Sequence, residues 1–141
     1  MSARTKARKR ALDVLYAADA RGADPLDVLT ERIDSIGSDD AAPLGEYAEV
    51  LVRGVAAHGD RIDDLLSEHA EGWTLDRMPA VDRAILRIGV YELVYSPDVP
   101  AAVAVDEAIE LAKSLSTDNS PRFINGVLGQ ILMIAPELRR V

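Results

Sequence analysis

Apolar side chains recur at intervals of three and four residues along nearly the whole chain, and this spacing restricts the possible folds more than any other feature. Such a repeat places the apolar residues on one face of an α-helix, whereas a β-strand needs strict alternation, which is scarce here. Gly22 ends the first repeat, and the pairs Asp24-Pro25 and Ser120-Pro121 each join a capping side chain to a proline at the first helical position. The sequence therefore predicts an all-α fold of about seven helices.

The predicted helices form two groups, and the segment at residues 72–79 is the expected junction between them. We expect one domain covering residues 1–141, with an N-terminal helical half at about residues 1–72 and a C-terminal half at about 73–141. The connections between predicted helices are only a few residues long, which favours antiparallel packing of neighbouring helices. The expected architecture is therefore a bundle made of two helical sub-bundles.

Particular helices carry more specific predictions. The second predicted helix buries Ile36 and ends at Gly37, and the third begins at Pro43. The fifth, at about residues 80–95, is apolar on most sides, which is typical of a central, buried helix. Gly126 lies inside the last predicted helix, where glycine costs about 1 kcal/mol relative to alanine. We therefore expect Gly126 to permit a close approach between two helices.

Charge is distributed unevenly along the chain. The net charge is −8, but the first ten residues contain five basic side chains and no acidic one. These basic residues, the basic head, are Arg4, Lys6, Arg8, Lys9 and Arg10. The remaining residues contain 11 basic and 24 acidic side chains, a net charge of −13. This asymmetry indicates a nucleic-acid contact at the basic head and a basic protein partner for the acidic remainder.

Several classes of protein are disfavoured by what the sequence lacks. There is no cysteine, which excludes disulfides, thiolate metal sites and a cysteine nucleophile. No apolar run is long enough to span a bilayer and no signal peptide is recognisable, so we expect a cytoplasmic protein. Asp60, Asp64, Glu68 and His69 share part of one helical surface, but such a run is more typical of a solvated face than of a metal site. We therefore expect no enzyme activity, no metal and no cofactor.

Single-stranded RNA is bound by cations that neutralise phosphates and by flat side chains on which bases stack. The basic head provides cations at the start of a helix, and Tyr16 lies seven residues after Lys9, near the same helix face. The only other rings suited to stacking are Phe123, Trp73 and three further tyrosines. From these residues alone, a solvated basic terminus and an ordinary packing role for Phe123 remain open.

Three segments, taken in order, resemble the NusB family of antitermination and ribosomal-RNA processing factors. They are "RTKARKRALDVLYA", "VDRAILRIGVYEL" and "VAVDEAIELAKSLSTDNSPRFINGVLGQI". The chain has "DEAIELAK" and "FINGVL" where the family-like pattern is "NEAIELAK" and "FVNGVL". The resemblance extends over nearly the whole chain and is strongest in residues 81–131. It implies transcription antitermination without catalysis, and binding of boxA RNA together with the ribosomal protein called NusE.

The resemblance also implies which residues make these contacts. Phe123 matches the family's phenylalanine before the "xNGVL" pattern, which makes it the best candidate for stacking a base. Asp82 matches an acidic position that the family uses to bind NusE. The complete set of expected RNA-binding residues is Arg4, Lys6, Arg8, Lys9, Arg10, Tyr16, Asn119, Arg122 and Phe123.

The alternative is a helical module that binds only proteins, through the basic head or through a second copy of itself. A homodimer is therefore an open possibility, as is cooperation between RNA and NusE. Binding to a boxA-containing RNA separates the two hypotheses.

Overall fold

The computed structural model of the chain describes residues 2–35 and 44–139. This part of the chain contains seven α-helices and no β-strand, which confirms the predicted all-α fold. The helices are α1 (Ala3–Arg21), α2 (Pro25–Asp34), α3 (Glu46–Ala57), α4 (Gly59–His69), α5 (Ala80–Tyr95), α6 (Ala101–Leu115) and α7 (Ser120–Leu138). The predictions for Ile36, Gly37 and Pro43 lie outside the described residues.

The chain divides into two compact units, Met1–Ala57 and His58–Val141. The division falls earlier than the predicted junction at about residue 72, because α4 packs against α5 and α7 in the second unit. Its apolar face, formed by Ile62, Leu65 and Leu66, is buried there. The segment between α4 and α5, which contains a short 3₁₀ turn at Leu75–Arg77, is thus a connection within the second unit.

In the first unit, α1 packs against α2 and α3. The Ser2 hydroxyl accepts a hydrogen bond from the Thr5 amide and caps the start of α1. Gly22 ends the helix in the left-handed conformation, with φ of 62°, which costs little only for glycine. The buried apolar residues of α1 include three alanines, which allow close helix packing, and are Ala7, Ala11, Leu12, Val14, Leu15 and Ala18.

An exposed ion pair joins α1 to α2. Both terminal nitrogens of Arg21 donate to the Glu31 carboxylate, at 2.8 and 3.0 Å. The hydrogen bond and the opposite charge raise the pKa of Arg21 and lower the pKa of Glu31. Because both groups are exposed to solvent, the pair adds little to stability.

In the second unit, α5 is the central helix and contacts α4, α6 and α7. Gly89 of α5 allows the closest approach: a Cβ atom at this position would lie 2.8 Å from Cδ1 of Leu128 in α7. By contrast, a Cβ atom at Gly126 would meet no neighbouring atom within 4 Å. The expectation for Gly126 was therefore wrong, because α7 turns this position towards solvent and packs its neighbour Leu128 against α5.

This difference predicts opposite effects for two glycine substitutions. Gly89→Val is expected to lower the free energy of unfolding by about 1–3 kcal/mol, because it overfills a packed helix contact. Gly126→Ala is expected to raise it by up to about 1 kcal/mol, because alanine favours the helix and meets no obstacle. Urea denaturation followed by circular dichroism measures both. A stability loss in Gly126→Ala would contradict the solvent-facing placement of this residue.

Polar side chains anchor α5 at its middle and near its C-terminal end. In the middle, Arg87 makes a two-point salt bridge with Asp63 of α4, at 2.9 and 3.1 Å. Near the C-terminal end, Nε of Arg139 donates to the Leu93 carbonyl at 2.7 Å.

In the part of the chain that the structure describes, no helix is both long and apolar enough to cross a membrane.

Candidate functional site

Both lysines of the basic head lie on one side of α1. Lys6 and Lys9 are exposed, and Tyr16 follows at a helical interval with 43% of its surface exposed. Arg4 is exposed as well, but its guanidinium is directed to Tyr47. The opposite side of α1 is buried in the first unit. Two cations and one aromatic ring are therefore directed to solvent from the same helix, as contacts with phosphates and with a base require.

The arginines of the basic head are placed differently. Arg8 is only 2% exposed, although the sequence suggested a solvated cation at this position. Its guanidinium carbon lies 5.8 Å from the centre of the Tyr47 ring, and that of Arg4 lies 4.3 Å from the same ring. Such cation–π contacts stabilise the fold locally by about 0.5–1 kcal/mol at exposed sites and more when desolvated. Arg8 therefore belongs to the interior of the first unit, while Arg10 is half-buried.

A pocket of about 430 Å³ opens in the second unit, at the start of α7. One side of the pocket is apolar and is formed by Trp73, Pro79 and Phe123. The Trp73 and Phe123 rings are 5.8 Å apart between centres and tilted by 57°, a favourable arrangement for two aromatic groups. Trp73 is 47% exposed and Phe123 is half-buried, so both rings have surface available to a bound group.

The polar side of the same pocket is formed by Asp82, Thr117, Asn119, Ser120 and Arg122. Asp82 is only 2% exposed, and its carboxylate accepts hydrogen bonds from the Ser116 hydroxyl and, at 2.9 Å, from the Ser120 hydroxyl. A buried carboxylate is tolerated only with such donors. Asn119 and Arg122 are exposed at the rim. The pocket thus combines a buried acceptor, an aromatic side and an exposed cation.

Ser120 has a different role from the predicted helix cap. It is the first residue of α7, and its hydroxyl accepts from the Thr117 amide at 3.2 Å while donating to Asp82. Asn119 occupies the capping position without a side-chain capping bond. The Ser120-Pro121 pair therefore marks the helix start correctly, but the serine hydroxyl orients the Asp82 carboxylate.

The placement of Asp82 limits what it can contact. A protein surface cannot reach a carboxylate that is 2% exposed, so only a group that enters the pocket meets it. The resemblance implies that Asp82 lies on the surface that binds NusE. In the structure, α5 places Asp82 against Ser116 and Ser120, at the start of α7. The sequence gives no signal that distinguishes Trp73 from the other rings, because its neighbour Phe123 is fifty residues away along the chain.

Arg83 holds the connection that carries Trp73. Its Nη1 donates to the carbonyl of Leu75 at 2.6 Å and to that of Met78 at 3.4 Å. These bonds fix the segment just after Trp73 to the first turns of α5. Arg83 is therefore a positioning residue for the aromatic side of the pocket.

Loss of this anchor is expected to be visible in fluorescence, because Trp73 is the single tryptophan. In Arg83→Ala, we expect acrylamide to quench the emission more strongly, while the helix content measured by circular dichroism stays unchanged. Arg77→Ala is the matched control, because Arg77 is exposed in the same connection. Equal quenching in Arg83→Ala and the unaltered chain would show that these bonds do not hold Trp73.

In residues 2–35 and 44–139, no group of three or more His, Asp or Glu side chains is placed to hold a metal ion. His69 lies at the end of α4, where its Nδ1 is 2.8 Å from the Leu65 carbonyl oxygen. Asp60, Asp64 and Glu68 are exposed along the same helix. They form an acidic stripe on α4.

Known proteins resemble this chain over nearly its whole length. A model of the NusB family matches residues 5–133. The transcription antitermination protein NusB of Saccharopolyspora erythraea is 63% identical over 140 residues, covering 99% of this chain and 93% of the relative. The structure of NusB from T. maritima has a TM-score of 0.83 at 34% identity, covering 99% of this chain and 98% of the other. A crystal structure of antitermination factors NusB and NusE with double-stranded RNA matches with a TM-score of 0.77 at 30% identity, covering 92% of this chain and 96% of the other.

Proposed function

This chain belongs to the NusB family, and we propose that it acts as a transcription antitermination factor in ribosomal-RNA synthesis by binding boxA-type RNA together with the NusE ribosomal protein. One observation carries the RNA-binding part of the proposal. Each compact unit presents an aromatic ring and an exposed cation on the same helix: Tyr16 lies two turns after Lys9 on the same side of α1, and Phe123 follows Arg122 at the start of α7. This combination suits single-stranded RNA, whose phosphates need cations and whose bases need flat surfaces.

Within this proposal, the residues of the basic head have two roles. Lys6 and Lys9 neutralise phosphates directly, because they are exposed on the outer side of α1. Arg4 and Arg8 hold the Tyr47 ring, and Arg8 acts through the position of α1 rather than by touching RNA. Arg10 is half-buried, and we expect it to contribute less to RNA binding than the exposed lysines.

In the second unit, Phe123 stacks one base, and Asn119 and Arg122 at the pocket rim contact the neighbouring backbone. These three residues are brought together by the turn into α7, so one stretch of RNA can meet them at once. Asp82 orients the turn through Ser116 and Ser120.

The protein partner is proposed to be basic, because the chain outside its first ten residues has a net charge of −13. The acidic stripe on α4 is a suitable contact, since its three carboxylates are exposed. The matching structure of NusB with NusE and RNA supports NusE as this partner. Asp82 matches the acidic position that the family uses to bind NusE. Because its carboxylate is buried at the pocket, we propose that Asp82 meets NusE only through a partner side chain that enters the pocket.

The proposal is tested by titrating labelled boxA RNA with the full chain, alone and with NusE, over a series of salt concentrations. We expect binding that weakens as salt rises, and tighter binding when NusE is present. Binding of NusE without any RNA binding would favour the alternative of a protein-only module. Sedimentation velocity on the same samples shows whether a homodimer competes with RNA. We also propose that the protein binds RNA without catalysing a reaction, and that it does so in the cytoplasm, where RNA is transcribed.

A further inference from the structure

The first turns of α1 hold two arginines against one aromatic ring. The guanidinium carbon of Arg4 lies 4.3 Å from the centre of the Tyr47 ring, and that of Arg8 lies 5.8 Å from it. Tyr47 lies in the first turn of α3, which packs against α1. The two arginines differ in exposure, because Arg8 is 2% exposed whereas Arg4 is exposed. The ring therefore contacts one cation in the interior and one at the surface.

Helix α1 by itself does not favour a cation at Arg4. The residue lies in the first turn of α1, where the helix dipole is positive and disfavours a further positive charge. Arg8 lies one turn later, and two like charges four residues apart repel each other. The ring attracts both guanidinium groups, because the face of an aromatic ring carries a partial negative charge. Contact with Tyr47 thus offsets the repulsion and favours a conformation of Arg4 beside α3.

A guanidinium placed over a ring can still bind a phosphate. Its flat face meets the ring, whereas its N–H groups point outwards in its own plane, in a fork that matches two phosphate oxygens. A phosphate can therefore bind at the edge of Arg4 while the contact with Tyr47 is kept. Lysine has neither the flat face nor the fork, so Lys6 and Lys9 bind phosphate without such support.

We propose that Tyr47 is a positioning residue for RNA binding, which holds Arg4 in place to bind a phosphate of the RNA. The inference rests on the proposed RNA binding and assigns a role to a residue of α3 that itself touches no phosphate. A long, flexible side chain loses conformational freedom when it binds, and this cost is smaller when the fold has already ordered the side chain. The ring of Tyr47 supplies that order, and the buried Arg8 contacts the same ring from the interior.

Two other roles of Tyr47 predict different results. If the ring withholds Arg4 from RNA, removal of the ring releases the cation and tightens RNA binding. If the ring serves only the packing of α1 on α3, its removal affects every RNA contact of α1 alike. The exposure of Arg4 argues against the first of these roles, since a side chain withheld from RNA would be covered.

The test is a double-mutant cycle between Tyr47 and Arg4, in which fluorescence anisotropy measures the affinity of the full chain for labelled boxA RNA. Tyr47→Leu keeps much of the apolar volume but removes the ring. We expect it to weaken RNA binding by about three- to tenfold, because RNA binding must then order the Arg4 side chain. In a chain that already carries Arg4→Ala, we expect Tyr47→Leu to have almost no further effect.

A second cycle, with Lys6 in place of Arg4, is the matched control. Lys6 is exposed on α1, as Arg4 is, and is also a cation of the basic head. We expect the effects of Tyr47→Leu and Lys6→Ala to multiply, because the ring orders Arg4 and not Lys6. Tyr47→Phe keeps the face of the ring and is expected to restore the affinity that Tyr47→Leu loses.

Arg4→Lys tests the same contact without a change in α3, so it is informative even if Tyr47→Leu lowers the stability of the fold. Arg4 is exposed, and the substitution therefore spares the core of the first unit. Lysine keeps the charge but not the flat guanidinium, and we expect Arg4→Lys to weaken RNA binding by a factor similar to that of Tyr47→Leu. Circular dichroism at the temperature of the titration shows whether each variant is folded.

Several results would overturn this inference. Equal effects of Tyr47→Leu with and without Arg4 assign the ring to packing or to a direct contact with RNA. Tighter RNA binding in Tyr47→Leu shows that the ring withholds Arg4 from RNA. Full affinity in both Tyr47→Leu and Arg4→Lys removes the ring contact from RNA binding, while RNA binding itself stands. No RNA binding by the unaltered chain refutes the proposed function, and this inference with it.

Discussion

A chain in which Lys6 and Lys9 are both replaced by glutamate is expected to bind boxA RNA about a hundredfold more weakly at low salt, because attraction to phosphates becomes repulsion. Both side chains are exposed on the same side of α1 and face solvent. Their replacement therefore leaves the core of the first unit unchanged, and we expect the melting temperature to stay the same. Fluorescence anisotropy with labelled RNA measures the affinity.

The matched control replaces Arg32 and Arg53 by glutamate. These residues are exposed in α2 and α3, so the variant has the same change in net charge within the same unit. A similar loss of affinity in the control would show that overall charge, and not this side of α1, governs binding.

In the milder variant with Lys6→Ala and Lys9→Ala, the slope of log affinity against log salt should fall by roughly 1.4, or 0.7 for each lost phosphate contact.

Arg8 is left out of these variants because of its burial. It is 2% exposed and lies near the Tyr47 ring, so Arg8→Ala would remove packing and a cation–π contact from the first unit. A loss of RNA affinity in that variant would mix a lower stability with a lost charge. The exposed lysines separate the two effects.

Phe123→Ala is expected to weaken boxA RNA binding by about 5- to 150-fold, the range for loss of one stacked base. The ring is half-buried beside Trp73, and it lies one residue after the exposed Arg122. A base can therefore rest on the ring while its phosphate meets the guanidinium. The loss should change little with salt, because stacking does not depend on counterions, whereas the effect of the lysine substitutions should shrink as salt rises.

Two further substitutions separate stacking from packing at this position. Phe123→Leu keeps much of the apolar volume but has no ring, and Phe123→Tyr keeps the ring. We expect the leucine variant to bind RNA nearly as weakly as the alanine variant, and the tyrosine variant to bind like the unaltered chain. If leucine restores full affinity, Phe123 is a packing residue and the stacking assignment fails.

The amino-acid sequence by itself determined the helical fold and the family. Helix periodicity is a local property, and so are the signals that start or end a helix, such as Gly22 and the Asp24-Pro25 pair. These signals act between residues a few positions apart, so they are visible without knowledge of the fold. The basic head and the "FINGVL" segment can also be recognised from the sequence alone. Their order along the chain supports the resemblance to the family.

Only the tertiary structure decided which side chains face solvent and which meet each other. Asp82 is hydrogen-bonded to Ser116 and Ser120, which are 34 and 38 residues away, and no local pattern predicts this pairing. Burial of Arg8 likewise depends on Tyr47, which α3 brings to the side of α1. The spacing of apolar residues shows which side of a helix is buried. It does not show which other helix covers that side, because packing joins residues that are distant in sequence.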